Sequence, residues 1–170
     1  YVHPGIEMQP IKFGGTGSQS EDLEMPRLIP DRYEAGTQNT VGIAGLGAGI
    51  KFVMQTGVEK IAAHERALTR HLIEGLRSIK RVEIYGPQEP DDRVGVISFN
   101  VRGMDSSEVG FILDQVYGIA VRVGLHCAPL AHKTLGTFER GTVRVSFSYL
   151  NTQEEVNQLI YAIQEIIREY

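Results

Sequence analysis

Polar and apolar positions change their rhythm several times along the chain. Residues 1–40 contain "PGIEMQPIKFGGTGSQSEDLEMPRLIPDRYEAGTQNT", where Gly, Pro and polar side chains crowd together without a sustained period, which predicts loops. A stretch this long without an element is uncommon inside an independent domain. It reads as loops of a site or an interface whose scaffold lies elsewhere. From Val41 the run "VGIAGLGAGIKFVMQ" is apolar and rich in small residues, which predicts a closely packed helix capped by Asn39 or Thr40. Gly57 interrupts it, and Thr56-Gly57-Val58-Glu59 has the spacing of a capping box that restarts a helix. Ile61, Leu68, Leu72, Leu76 and Ile79 give that second helix an apolar stripe.

Beyond Lys80 the period shortens. "VEIYG" (82–86) and "VGVISFNV" (94–101) alternate as strands do, on either side of the turn-rich "PQEPDDR". Asp105-Ser106-Ser107-Glu108 opens a helix with Val109, Ile112, Leu113 and Val116 on one face. "IAVRV" (119–123) and "TVRVSFS" (142–148) predict two more strands. Thr152-Gln153-Glu154-Glu155 caps a last helix whose core face carries Val156, Leu159, Ile160, Ile163 and Ile167. The order is two strands, a helix, two strands and a helix. It predicts a compact α+β unit of about four mostly antiparallel strands with helices on one side.

Composition narrows the class. A chain of 170 residues with 42% hydrophobic and 22% charged residues is ordinary for a globular protein that needs neither disulfide nor metal to fold. A net charge of −4 without a basic cluster argues against nucleic acid as the main partner. No apolar run reaches the roughly 18 residues of a membrane span, so no membrane partner is expected. A single cysteine cannot form an internal disulfide, which points to a reducing, cytoplasmic setting. The opening "YVHPGIEMQP" shows no charged region followed by an apolar one, hence no signal peptide. It lacks an initiator Met, so a fragment of something longer is expected.

Several stretches could carry chemistry. "GIAGLGAG" (42–49) imitates a dinucleotide fingerprint, but no strand precedes it, and close helix packing explains it better. "GGTGSQS" (14–20) could form a nest of backbone N–H groups for an anion, with Thr16 and Ser18 hydroxyls beside it. Taken alone, a plain flexible loop explains it better. Thr37, Asn39 and Thr40 stand at the start of a helix, where free N–H groups favour an anion or a simple cap. Arg122 and Arg144 fall on the outward side of their strands, as solvated arginines or as a fork for a carboxylate. Cys127 stands between His126 and, five positions on, His132. A metal site would need a further carboxylate from elsewhere. As a nucleophile, the thiol would find His132 the better-placed helper, because adjacent residues rarely face each other. A buried, inert cysteine is the competing account.

Taken in order, "GGTGS" (14–18), "DRYEAGTQNTVGIAGL" (31–46), "HERAL" (64–68), "VRVGLHCAPLAH" (121–132) and "GTVRVSFSYLNTQEEV" (141–156) resemble the C-terminal part of cysteine desulfurases in the class V aminotransferase family. These are pyridoxal-phosphate (PLP) enzymes of fold type I. The resemblance covers essentially the whole chain. It implies that residues 1–40 are loops of the large PLP-binding domain, 41–80 interdomain helices, and 81–170 the small C-terminal α+β domain. It implies that Cys127 is the persulfide-forming nucleophile, that Arg144 clamps the carboxylate of L-cysteine, and that Arg122 borders the same site. Thr37 would meet the PLP phosphate of the partner subunit in a homodimer, with Gly14 and Gly15 near that boundary. A sulfur-acceptor protein, in iron–sulfur cluster or thiocofactor assembly, completes the implied partners. The family's Schiff-base lysine precedes the matched region, and Lys133 reads as an ordinary surface lysine. The fragment alone is therefore expected to bind no PLP and to be inactive. The neighbouring readings are a selenocysteine lyase or another class V aminotransferase. A stand-alone persulfide carrier or interaction domain is the alternative from outside the enzymes.

Overall fold

The computed structural model describes residues 2–3, 5–19 and 21–170. Tyr1, Pro4 and Ser20 lie outside the described residues, and with them the last position of the 14–20 stretch and the first of the chain. The chain divides into two compact units, Tyr1–Gln55 and Thr56–Tyr170.

Among the described residues before α1 the expected loops are present, interrupted by a 3-10 turn at Asp31–Tyr33. Backbone and side-chain bonds fold them on themselves: Gly36 N donates to Gly15 O at 2.8 Å, and the Tyr33 hydroxyl donates to Met8 O at 3.2 Å. Helix α1 (Thr40–Thr56) follows. Asn39 is its cap, with Oδ1 accepting from Gly42 N at 3.0 Å. The expectation of close packing fails within this chain, because α1 contains no buried residue. Val41, Ile43, Leu46 and Met54 are all more than half exposed. Small residues make a helix able to approach a neighbour closely, but they do not supply the neighbour.

The second unit opens with α2 (Val58–Arg77). The capping box expected at Thr56 does not form. The N-cap is Gly57 at φ 88°, with no side-chain cap bond, since the break falls one residue later than the motif requires. The α2 stripe behaves as its period dictates: Leu68, Leu72 and Leu76 are buried, joined by Ile73, while Ile61 is half-buried. Strands β1 (Val82–Tyr85), β2 (Val96–Val101), β3 (Arg122–Gly124) and β4 (Thr142–Ser146) form one antiparallel sheet in the order β1-β2-β4-β3. Helix α3 (Ser106–Tyr117) lies between β2 and β3 in sequence, and α5 (Gln153–Glu169) ends the chain.

One sheet face makes the core. Ile97, Phe99 and Val101 of β2 and Val143 and Val145 of β4 are buried with Val109 and Leu113 of α3 and Val156, Leu159, Ile163 and Ile166 of α5. Removing such a side chain from water contributes about 1.5–3 kcal/mol, so this face supplies most of the driving force. Two helical assignments shift. Val116, expected on the core face of α3, is 68% exposed, and Ile166 takes the buried place at the end of α5 while Ile167 is only partly buried. The last turn of α3 meets the core through Leu113 and Tyr117 instead of Val116, and that of α5 through Ile163 and Ile166. Glycine permits the closest approach: a Cβ on Gly75 of α2 would lie 2.3 Å from Ile160 Cδ1 of α5.

The opposite sheet face is polar. Glu83, Tyr85, Asn100 and Arg140 share hydrogen bonds there: Arg140 donates to Glu83 at 2.9 Å and to Tyr85 at 3.0 Å, and Asn100 Nδ2 to Gly141 O at 2.9 Å. The guanidinium of Arg102, hydrogen-bonded to Glu83, is the first cause that holds this carboxyl below the usual range.

The capping box of α5 does form: Thr152 Oγ1 accepts from Glu155 N, and Glu155 Oε2 accepts from Thr152 N at 2.9 Å. Thr152→Ala is therefore expected to lower the stability of this unit by about 1 kcal/mol. The measurement is a urea melt, with a lower midpoint and an unchanged slope.

Candidate functional site

Cys127 is exposed, on the turn between β3 and a short helix that sequence periodicity did not reveal. That helix, α4 (Pro129–Leu135), has Pro at its first position and Gly136 in the left-handed conformation at its end, the asymmetry of short helices. The signal was present in "APLAHKTLG" but is too brief to show a period. The turn is built on a glycine contact. Gly124 at φ 95° ends β3 and Gly141 at φ 62° precedes β4. A Cβ on Gly141 would lie 2.5 Å from Gly124 Cα. Leu125 O accepts from Ala128 N at 2.9 Å to close the turn. Within it, His126 and Cys127 have φ of 52° and 59°, a conformation that side chains bearing a Cβ rarely adopt.

The two histidines divide their work. His126 is half-buried, and its Nε2 is hydrogen-bonded to Thr142 Oγ1 at 3.0 Å. His132 is buried on α4 with Nδ1 hydrogen-bonded to Thr137 Oγ1 at 2.8 Å. The two rings lie 5.6 Å apart between centroids. His132 thus turns into the protein, toward Thr137, whereas the thiol is exposed. Thr137 and Thr142 were not singled out as site residues by the sequence. Only the alternation of β4, which puts Thr142 on the side of Arg144, hinted at one of them. Among the described residues no group of three His, Cys, Asp or Glu is placed to hold a metal ion.

Arg122 and Arg144 stand directly opposite each other across the β3–β4 ladder. They share the polar face of the sheet, as the strand period required. Like charges directly opposite are unfavourable, and nothing acidic separates them in register: Ser98 is the partner of Arg144 on β2. Arg144 is half-buried, and its Nε is buried without a hydrogen-bond partner among the described residues. A carboxylate placed there would satisfy the orphan donor and relieve the repulsion together.

The remaining candidates lie in the first unit. Thr37 is exposed just before α1. In the Gly14–Ser18 loop the hydroxyls are engaged locally: Thr16 Oγ1 bonds Ser18, and Ser18 Oγ donates to Asp31 Oδ2 at 2.5 Å. Gly14 and Gly15 line a cavity shared with Asp22, Glu24, Arg27 and Arg32, of mixed charge. The 42–49 glycine run sits inside α1 with no strand before it. Lys12, Lys51, Lys60, Lys80 and Lys133 are all exposed, Lys133 with its ammonium 5.1 Å from the Phe138 ring centre. Toward a PLP enzyme's substrate the second unit offers arginines suited to a carboxylate, while every lysine of the chain is exposed. No single described helix is long and apolar enough to cross a membrane.

The unit thus displays an exposed thiol on a left-handed turn that follows β3, the strand that carries Arg122 opposite Arg144. The Aminotransferase class-V family model matches residues 3–159, and the chain belongs to that family. It is 39% identical over 165 residues to a cysteine desulfurase of Serratia proteamaculans, covering 94% of this chain and 39% of that protein. The apo structure of a cysteine desulfurase from Thermococcus onnurineus superposes with a TM-score of 0.77 at 40% identity, over 83% of this chain and 34% of that one. The cysteine desulfurase CsdA from Escherichia coli, with an S-sulfonic acid, gives 0.79 at 26% identity over 95% and 39%. The chain spans about two fifths of the curated relative's length.

Burial, followed by the charges of Arg144, His132 and Arg122, pushes the His126 pKa down. The unfolded chain then binds more protons between that lowered value and the ordinary one near ~6.5. Stability from this group is complete above ~6.5 and is lost as the pH falls through the folded value. An NMR titration of the His126 ring is expected to show a midpoint below that of a free histidine. A midpoint at or above the free value would contradict the geometry.

Proposed function

We propose that this chain is the C-terminal part of a PLP-dependent cysteine desulfurase in which Cys127 accepts sulfur from L-cysteine. The observation that carries the proposal is the Arg122–Arg144 pair across β3 and β4, with the buried Arg144 Nε lacking a partner among the described residues, β3 being the edge strand that leads into the Cys127 turn. Arg144 grips the carboxylate of L-cysteine through its fork, and Arg122 adds positive charge at the rim. Cys127 attacks the substrate sulfur as a thiolate. The substrate C–S bond breaks, the carbon end takes up a proton and leaves as L-alanine, and the sulfur stays on Cys127 as a persulfide. PLP, when bound, supplies the electron sink that lets the C–S bond break. Thr37 would hold the phosphate, near Gly14 and Gly15.

The assembly we infer is a homodimer, in which Thr37 reaches the partner's phosphate. Residues 1–40 belong to the large domain, 41–80 link it to the small one, and 81–170 form the small domain. The exposed apolar side chains of α1 support this division, since they call for cover from protein beyond this chain. The persulfide is handed to an acceptor protein in the cytoplasm, for iron–sulfur cluster or thiocofactor assembly.

In the PLP-loaded enzyme that contains this segment, L-cysteine is expected to yield alanine and a Cys127 peptide heavier by one sulfur atom. Cys127→Ser abolishes the adduct, and Arg144→Lys raises KM by roughly one to two orders of magnitude. Alanine release undiminished by Cys127→Ser would sink the assignment. The 170-residue chain, given PLP and then borohydride, is expected to carry no stoichiometric pyridoxyl-lysine. One clean adduct on a single lysine, detected by peptide mass spectrometry, would show that this chain holds the cofactor itself.

A further inference from the structure

The turn that displays Cys127 needs an explanation of its own. Two consecutive residues other than glycine, His126 and Cys127, hold φ of 52° and 59°. Such residues persist only where the surroundings over-determine them. The glycine contact between Gly124 and Gly141 fixes where the turn starts, and the Ala128 N to Leu125 O bond closes it. Neither acts on the two left-handed residues through a side chain. Among the described residues, the one hydrogen bond made by a side chain of residues 125–128 is His126 Nε2 to Thr142 Oγ1 at 3.0 Å.

Thr142 is well suited to be the fixed end. It is 1% exposed, it is paired with Gly124 in the β3–β4 ladder, and it lies two residues from Arg144 on the same sheet face. Its hydroxyl therefore stands on the same rigid strand as the carboxylate fork. The His132 ring, hydrogen-bonded to Thr137 at 2.8 Å, lies 5.6 Å from the His126 ring between centroids.

We propose that His126 is a positioning residue that, through its hydrogen bond to Thr142, holds the left-handed turn and so sets Cys127 at a fixed reach from Arg144. This rests on the reading of Cys127 as the sulfur-accepting thiol. The bond ties the nucleophile's own backbone to the strand that binds the substrate, so both ends of the reaction are referred to one element. His126 does not touch the sulfur in this account; it acts through the conformation of the next residue.

The test compares Thr142→Val, which removes the hydroxyl at nearly constant shape, with Thr142→Ser, which keeps it. His126→Asn is the second variant: asparagine tolerates the left-handed region but is too short to reach Thr142. In the 170-residue chain, NMR reads the strong intraresidue amide–Hα contacts that mark positive φ, and amide exchange at residues 126–128. The expected result is loss of those contacts and roughly tenfold faster exchange in Thr142→Val and His126→Asn, with wild-type behaviour in Thr142→Ser. In the PLP-loaded enzyme, Thr142→Val lowers kcat for alanine release and leaves KM for L-cysteine unchanged. Unaltered turn signals in both Thr142→Val and His126→Asn overturn the proposal. A wild-type turn that never acquires a persulfide, with the exchange pattern as expected, leaves the anchor standing and removes Cys127 from the chemistry instead.

Discussion

Everything in the second unit depends on the alternation of β4. Val143 and Val145 enter the core beneath the helices, while Thr142 and Arg144 face the other way. The strand sits between β2 and β3 in the sheet, so its register is held from both sides. A slip by one residue would bury a guanidinium and expose two valines, a change far too costly for the sheet to tolerate. The same constraint that makes the core therefore delivers a hydroxyl and a guanidinium to the polar face at a spacing of one pleat. The chemistry of the site is aligned by the hydrophobic effect acting on the residues between.

That polar face carries stress of a particular kind. Two arginines in direct register repel each other, and one of them keeps a buried N–H without an acceptor. On the β1 side of the same sheet, guanidinium groups are met by Glu83 and the Tyr85 hydroxyl. The contrast within one sheet separates charge used for holding strands together from charge left available. A surface built only for stability would have paired the second set as it paired the first.

Much of this was legible in the residues. The helical stripes, the four strands and the polar placement of Arg122 and Arg144 follow from periods of 3.6 and 2, which the core enforces. The Thr152 box was legible because its residues and its helix start coincide, whereas the Thr56 box was misread because the cap is Gly57 and the helix begins at Val58. What stayed hidden is what depends on partners distant in sequence. The strand order, the contact of Gly124 with Gly141, and the pairing of His126 with Thr142 join segments with no shared local pattern. The left-handed backbone at Cys127 had no warning, since neither residue there is the glycine or asparagine that such a conformation favours. Helix α1 failed in the opposite direction: its composition advertised a closely packed neighbour, yet none of its residues is buried.

The meeting of Gly124 and Gly141 has a consequence for how such loops can vary. Two peptide units touch there with no side chain between them, so the loop leaves the sheet from a joint that has almost no play. Residues added upstream of it would pry β3 from β4. Residues added downstream of the turn would lengthen the arm without disturbing its hinge pin. The joint thus divides the segment into a part whose length is fixed by masonry and a part free to vary in length.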